Sequence, residues 1–232
     1  MQLVPNSLFA FPLMQHLLDA EARVVDRHAR RMAVGQILSI APLPSQHRAP
    51  AGTRQPISRL HVVGENLDGD QRCTADALPW PSASFQLVVA RHVVEALPPG
   101  SGIEAELARV LAPGGVLVVS GLNPLSPWRF WWSRRWRDGV RMPVTCNATQ
   151  MLRNLQHHGL SLHDREFVGG SWPRSDATID DVDGPGSRWH GAWVLVTHKQ
   201  SAAVRPIPLR ARAPQSRFGH ALAPSSSGRL CA

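Results

Sequence analysis

The side chains able to do chemistry in this sequence fall into a few small groups. Arg91 and His92 adjoin each other just past an apolar run that reads as a strand. Histidine titrates near neutral pH, so the pair suits a substrate contact or a base at the rim of a sheet; a structural or solvent-facing histidine is the plainer reading. Glu65 and Asp76 stand in turn-like stretches, where a carboxylate accepts hydrogen bonds from a ligand, stays solvated, or caps its own turn. Residues 127–137 interleave Trp128, Phe130, Trp131, Trp132 and Trp136 with Arg129, Arg134, Arg135 and Arg137. Such a segment can stack nucleobases, rest at a membrane interface, close over an apolar or anionic substrate, or pack its rings on a sheet while the arginines reach outward. Cys73, Cys146 and Cys231 are far apart and form no CxxC pair, and His157, His158 and His163-Asp164 make no recognised ligand spacing. Neither a disulfide framework nor a metal is therefore expected, and a reducing compartment fits best.

The elements that must position these groups follow from the apolar pattern. Leu13, Leu17, Ala20 and Val24 recur at helical spacing and predict an amphipathic helix over about residues 12–33. Residues 36–41, bounded by Gly35 and Pro42, read as a buried strand. Residues 42–56 are polar and broken by prolines, which excludes a long regular helix. Residues 58–64 and 85–90 are further strands, the latter apolar enough to be buried on both faces. A helix over 103–111, with Glu104, Glu106 and Arg109 turned outward, stops at Pro113-Gly114-Gly115 and leads into the clearest strand, 116–120. A helix over 147–158 and strands over 160–168 and 192–198 complete an alternation that predicts an α/β layered fold with a mostly parallel sheet. The expected organisation is a helical extension over 1–34, one domain over 35–200, and a disordered Arg/Pro/Ser-rich tail over 201–232.

Composition narrows the function classes. The 232 residues carry a formal charge of +8 and a pI near 11.2, which suggests a polyanionic partner. Lys199 is the only lysine, however, tyrosine is absent, and Arg205, Arg210, Arg212, Arg217 and Arg229 load the tail. Nucleic-acid binding is therefore not the favoured reading. The first residues lack a basic leader and meet Asp19 and Glu21 early, and no apolar run is long enough to span a bilayer, so a soluble, cytoplasmic protein is expected.

Two segments carry a family likeness. Residues 75–89, ADALPWPSASFQLVV, resemble the D-A-x-x-L-P-F-x-D-x-S-F-D segment of class I S-adenosylmethionine-dependent methyltransferases. Residues 107–120, LARVLAPGGVLVVS, resemble the same family's L-x-E-x-x-R-V-L-K-P-G-G-x-L-x-I helix, turn and strand. Residues 120–128, SGLNPLSPW, are similar to the G-F-N-P-x-S-L-W segment of a small bacterial group of type-11 methyltransferase-like proteins. Residues 193–199 and 205–210 are similar to that group's last strand and P-I-R-P ending. The likeness covers about 13–210.

The resemblance implies a Rossmann-like fold with S-adenosyl-L-methionine across the carboxyl ends of the strands. It implies that Asp76, with Ala77 and Leu78, reads the adenine, that Glu65 serves the ribose hydroxyls, and that Ser39 and Ala41 stand in the glycine-rich turn. There the chain departs from the family: Leu38-Ser39-Ile40-Ala41-Pro42-Leu43-Pro44 replaces L-x-L-G-x-x-G, and the two prolines fix φ and delete donors where the backbone must approach the ligand. Methyl transfer needs proximity and in-line geometry more than an acid or base, and Arg91 and His92 are the catalytic candidates. The leading reading is a methyltransferase acting on a small-molecule, lipid-like or quinone-precursor acceptor. The alternatives are an inactive methyltransferase-like interaction module and a basic aromatic binder of nucleic acid or membrane surfaces through residues 128–141.

Overall fold

The computed structural model describes residues 7–31, 35–52, 54–137, 143–173 and 188–200. The tail expected over 201–232 and the end of the basic aromatic stretch lie outside them. The strand expected after Gly35 is β1 (Ile37–Ala41), buried at every position. It lies between β2 (Ile57–Val63) and β5 (Phe85–Arg91), parallel to both, and β5 is parallel to β6 (Leu111–Leu122). Beyond β2, the antiparallel β3 (Asn66–Gly69) and β4 (Cys73–Thr74) extend one edge. Beyond β6, β8 (Ala192–Lys199) and β7 (Leu160–Val168) close the other with antiparallel pairing. The eight strands run in the order β4-β3-β2-β1-β5-β6-β8-β7.

Period-two alternation along the central strands sends side chains to two cores, one on each face. Leu38, Ile40, Val88, Ala90, Leu117, Val119, Trp193 and Leu195 meet α3 (Ile103–Val110) and α5 (Ala148–His157). Ile37, Leu87, Val89, Val116, Val118, Val194 and Val196 meet α1 (Pro12–Ala29) and α4 (Trp128–Arg137). Helix α1 starts with proline in its first turn, where a missing N–H costs nothing. Helix α5 is capped by Asn147, whose side chain accepts the Gln150 amide at 2.7 Å, a contact worth about 1 kcal/mol.

The predicted strands and helices are all present within a few residues, with four differences. The first helix ends at Ala29 rather than near residue 33. Strand β6 reaches back through Pro113-Gly114-Gly115 to Leu111, with a register shift opposite Phe85 and Leu87. The β3 hairpin was not expected: Gly64, at φ +66°, opens a two-residue turn that pairs Val63 with Asn66. Glu106 does not face outward as expected but is buried, its carboxylate held by Arg109 and the Leu78 amide. The exclusion of a long helix over residues 42–56 holds, since among the described residues one short 3-10 turn, Pro44–Gln46, is the helical element there.

The aromatic, arginine-rich segment packs rather than protrudes. Trp128 and Trp132 are buried in the second core, and the Trp128 indole donates to the Gly170 carbonyl at 3.2 Å. The Arg135 guanidinium lies 4.9 Å over Phe11 and 5.5 Å over Trp131. Two glycines make this packing fit: a Cβ at Gly121 would stand 2.2 Å from the Trp193 ring, and one at Gly191 2.9 Å from Trp128. No helix among the described residues is long and apolar enough to cross a membrane. Trp132→Ala should therefore cost about 3–5 kcal/mol of stability in urea unfolding. Phe130→Ala, at a side chain 60% exposed on the same helix, should change it by about 0.5 kcal/mol or less.

Candidate functional site

Where β5 ends, the chain turns sharply. His92 adopts a left-handed conformation (φ 49°, ψ 20°) as the residue before the short helix α2 (Val93–Ala96), at a cost of about 1–3 kcal/mol for a side chain other than glycine. The turn aims the imidazole between two carboxylates: Nδ1 lies 2.6 Å from Glu95 Oε2 and Nε2 2.7 Å from Glu21 Oε1. The second oxygen of each carboxylate is also used, since the Ser120 hydroxyl donates to Glu21 at 2.8 Å and the Leu122 amide donates to Glu95. Phe9 lies with its ring centroid 4.9 Å from that of His92, and the whole cluster is buried. Burial opposes charge on the imidazole, but the two carboxylates outweigh it and push its pKa up to about 10. Burial also raises Glu95, more than its histidine partner lowers it. The imidazole therefore keeps its proton at neutral pH.

The loop that replaces the first crossover helix is tied down around this cluster. Gln46 donates to the Phe9 carbonyl at 2.8 Å, Asp26 accepts the Ala51 amide at 2.7 Å, and Arg48 pairs with Asp19 at 3.3 Å. Arg91 is buried, reaches the Arg48 carbonyl at 3.4 Å, and is lowered by burial despite the charge of Glu21. Ser39 lies 3.4 Å from His47, whose pKa falls to about 4 through burial and the neighbouring His61 and Arg91.

Above the buried cluster lies a cavity of about 290 Å³. Its walls include Pro42 and Leu43 after β1, Val62 and Gly64 at the end of β2, Glu95 in α2, and Phe9. Its position is the one where an open α/β sheet binds ligands, outside the carboxyl ends of strands whose connections diverge.

The residues expected to form the site are only partly gathered there. Glu65 follows a wall residue, Gly64, as the exposed second residue of the β2–β3 turn. Ser39 and Ala41 are buried in β1 and are not walls of the cavity. Asp76 and Ala77 are exposed and are not walls of the cavity; Asp76 stands against Gly102, where a Cβ would lie 3.2 Å from its own. The Ala77 amide donates to the Thr74 carbonyl at 3.3 Å, and the Leu78 amide donates to Glu106 at 2.7 Å. Glu106 is held by Arg109, which also donates to the Leu78 and Trp80 carbonyls, each at 2.9 Å. The Glu-x-x-Arg pair of the second motif therefore clamps the loop of the first. Sequence reasoning missed Glu21 and Glu95 because each sits in a helix with no distinguishing spacing, and a carboxylate there usually faces water.

The cluster sets a pH dependence whose sign can be worked out. His92 binds its proton more tightly folded than unfolded, so its stabilisation is full below about pH 6.5 and is lost as pH rises toward 10. The raised Glu95 acts in the same direction. His47, lowered to about 4, removes stability as pH falls below 6.5. Urea unfolding of the protein should show stability declining between pH 7 and pH 10, and His92→Gln should flatten that decline while lowering stability at pH 7. Equal slopes in the two proteins would contradict the assignment.

Residues 56–119 match the family model described as a methyltransferase domain. The ubiquinone biosynthesis O-methyltransferases of Bradyrhizobium sp. (strain ORS 278) and Rhodopseudomonas palustris (strain BisB18) are 34% and 32% identical to the chain over 74 residues, 32% of this chain. The chain spans only 29% of the length of these curated relatives. Among solved structures, an S-adenosylmethionine-dependent methyltransferase of Thermotoga maritima has a TM-score of 0.56 at 13% identity, covering 81% of this chain and 91% of that one. The Burkholderia thailandensis 1,6-didemethyltoxoflavin-N1-methyltransferase has a TM-score of 0.53 at 10% identity, covering 79% and 78%. At such identities these two establish the fold, and the matched segment 56–119 holds β2, β5, α3 and the clamp between them. The chain thus shares the fold of these methyltransferases, and its residues 56–119 resemble a methyltransferase domain in sequence.

Proposed function

We propose that the chain is an S-adenosylmethionine-dependent methyltransferase whose cavity above Glu95 takes the cofactor and a small, largely apolar acceptor. The observation that carries this reading is the place of the cavity, at the carboxyl ends of β1 and β2 and beside α2, where the connections on the two sides of β1 diverge. Its volume of about 290 Å³ lies at the small end of the roughly 300–1,000 Å³ usual for small-molecule sites. Gly64 offers a wall without a Cβ, and the space a Cβ would take there is open.

The cofactor's sulfonium supplies an electrophilic methyl group with a good leaving group already attached, so the chain has to bind and orient rather than activate. In this reading Glu65 accepts hydrogen bonds from the ribose hydroxyls and Asp76 from the adenine amine. The Leu78 amide is committed to Glu106, which leaves the Asp76 side chain with a larger share of adenine recognition. Pro42 and Pro44 contribute no backbone donors, so the grip shifts from the turn after β1 to the end of β2 and to α2. His92 has both ring nitrogens held by carboxylates and acts as a positioning residue that fixes Glu95 in the cavity wall. Arg91 holds the loop over residues 42–56 through the Arg48 carbonyl.

Calorimetric titration with S-adenosylhomocysteine tests the reading. The protein should bind it with a micromolar to low-millimolar Kd, and Glu65→Ala and Asp76→Ala should each weaken binding about tenfold, as loss of a hydrogen bond to a charged group implies. No heat at millimolar ligand would contradict the enzyme reading. Unchanged affinity in Asp76→Ala would remove that residue from the site.

A further inference from the structure

Two turns along α1 from Glu21, on the side of the fold where the edge strand β7 passes, three potential ligands converge. His28 is 6% exposed, and its Nε2 is fully buried without a hydrogen-bond partner. That nitrogen faces Asp164 Oδ2 at 3.5 Å and Glu166 Oε1 at 3.9 Å. One ligand atom from each of the three lies within 4.8 Å of the others.

The backbone explains why they meet. Asp164 and Glu166, two residues apart on β7, share one face of the strand, and the register shift between Leu162 and Asp164 turns His163 toward the same side. His163, at the bulge, stands edge-on to His28 with ring centroids 5.8 Å apart, and His198 on β8 lies 4.5 Å behind it. A buried ring nitrogen pointing at two carboxylates without a hydrogen bond leaves a polar atom unsatisfied.

We propose that His28, Asp164 and Glu166 form a site for a divalent transition-metal cation of the zinc type, staples for α1 against β7. One nitrogen and two carboxylate oxygens are ordinary zinc ligands, and metal–ligand bonds of 2.0–2.2 Å put tetrahedral ligands about 3.3 Å apart, close to the two separations from Nε2. The fourth position falls to water or to His163. Arg27 competes for the same place, because its guanidinium holds Glu166 Oε1 at 2.7 Å from a half-exposed position. Removing that cation's competitor should help the metal.

The test is zinc titration calorimetry on the full-length, tag-free, chelator-treated chain, with cobalt absorption as a second readout of coordination. The protein should bind one equivalent of zinc at micromolar Kd or tighter, with a higher Tm. His28→Gln and the double change Asp164→Asn with Glu166→Gln should each weaken binding about tenfold or more, and the double change touches partly exposed side chains that the fold can spare. Changing His157 and His158 to glutamine should leave binding as it was, and Arg27→Gln should tighten it. Absence of zinc binding at 100-fold molar excess, or binding that survives the double change, would overturn the site. Failure of Arg27→Gln to tighten binding would remove Glu166 and overturn the three-ligand arrangement.

Discussion

An imidazolium buried between two carboxylates is an expensive thing to fold around. Each ion taken out of water costs several kcal/mol, offset only where geometry is good and every remaining lone pair is satisfied. Here both conditions hold: each oxygen of Glu21 and Glu95 has a donor, from His92, Ser120 or the Leu122 amide. The partners come from α1, the β5–α2 corner and β6, so the cluster ties together elements distant in sequence. It also explains how His92 holds a backbone conformation that disfavours a side chain. The cavity wall at Glu95 and the seat of Phe9 both depend on it.

From that anchor the unusual first crossover becomes intelligible. Parallel strands are normally joined by a helix, but Pro42 and Pro44 remove two donors from the turn after β1 and set its path. The connection instead lies along α1 through Asp26, Asp19 and the Phe9 carbonyl. A helix N-terminus pointing at the cavity, the usual device for anionic or polar ligands at this place in the fold, is thereby replaced by apolar walls from Pro42, Leu43 and Phe9. In the proposed function, recognition falls to the β2–β3 turn and to side chains rather than backbone amides.

Most of the sheet was legible because its signal is local. Runs such as Val116-Leu117-Val118-Val119 and Trp193-Val194-Leu195-Val196 are apolar enough to be strands in almost any context, and Pro113-Gly114-Gly115 marks the helix-to-strand passage. The β3 hairpin was not legible, because Asn66-Leu67-Asp68-Gly69 is short and polar and only its pairing with β2 makes it a strand. The site was less legible than the fold. Asp76 and Arg109 could be read from motifs, yet the structure gives Arg109 and Glu106 the task of clamping the 78–80 loop. Glu21, a buried acid in an amphipathic helix, and His28 on the same helix carry meaning only through partners about 70 to 140 residues away, and no spacing rule reaches that far.

The proposal that the space above the His92 cluster takes the cofactor can be tested by a crystal structure of the protein with S-adenosylhomocysteine. Ligand density is expected between Pro42–Leu43 and Gly64, with the ribose near Glu65, the adenine toward Asp76, and the Glu21–His92–Glu95 contacts unbroken. Density elsewhere on the molecule, or a cavity filled by the Phe9 segment while the ligand is excluded at saturating concentration, would contradict it.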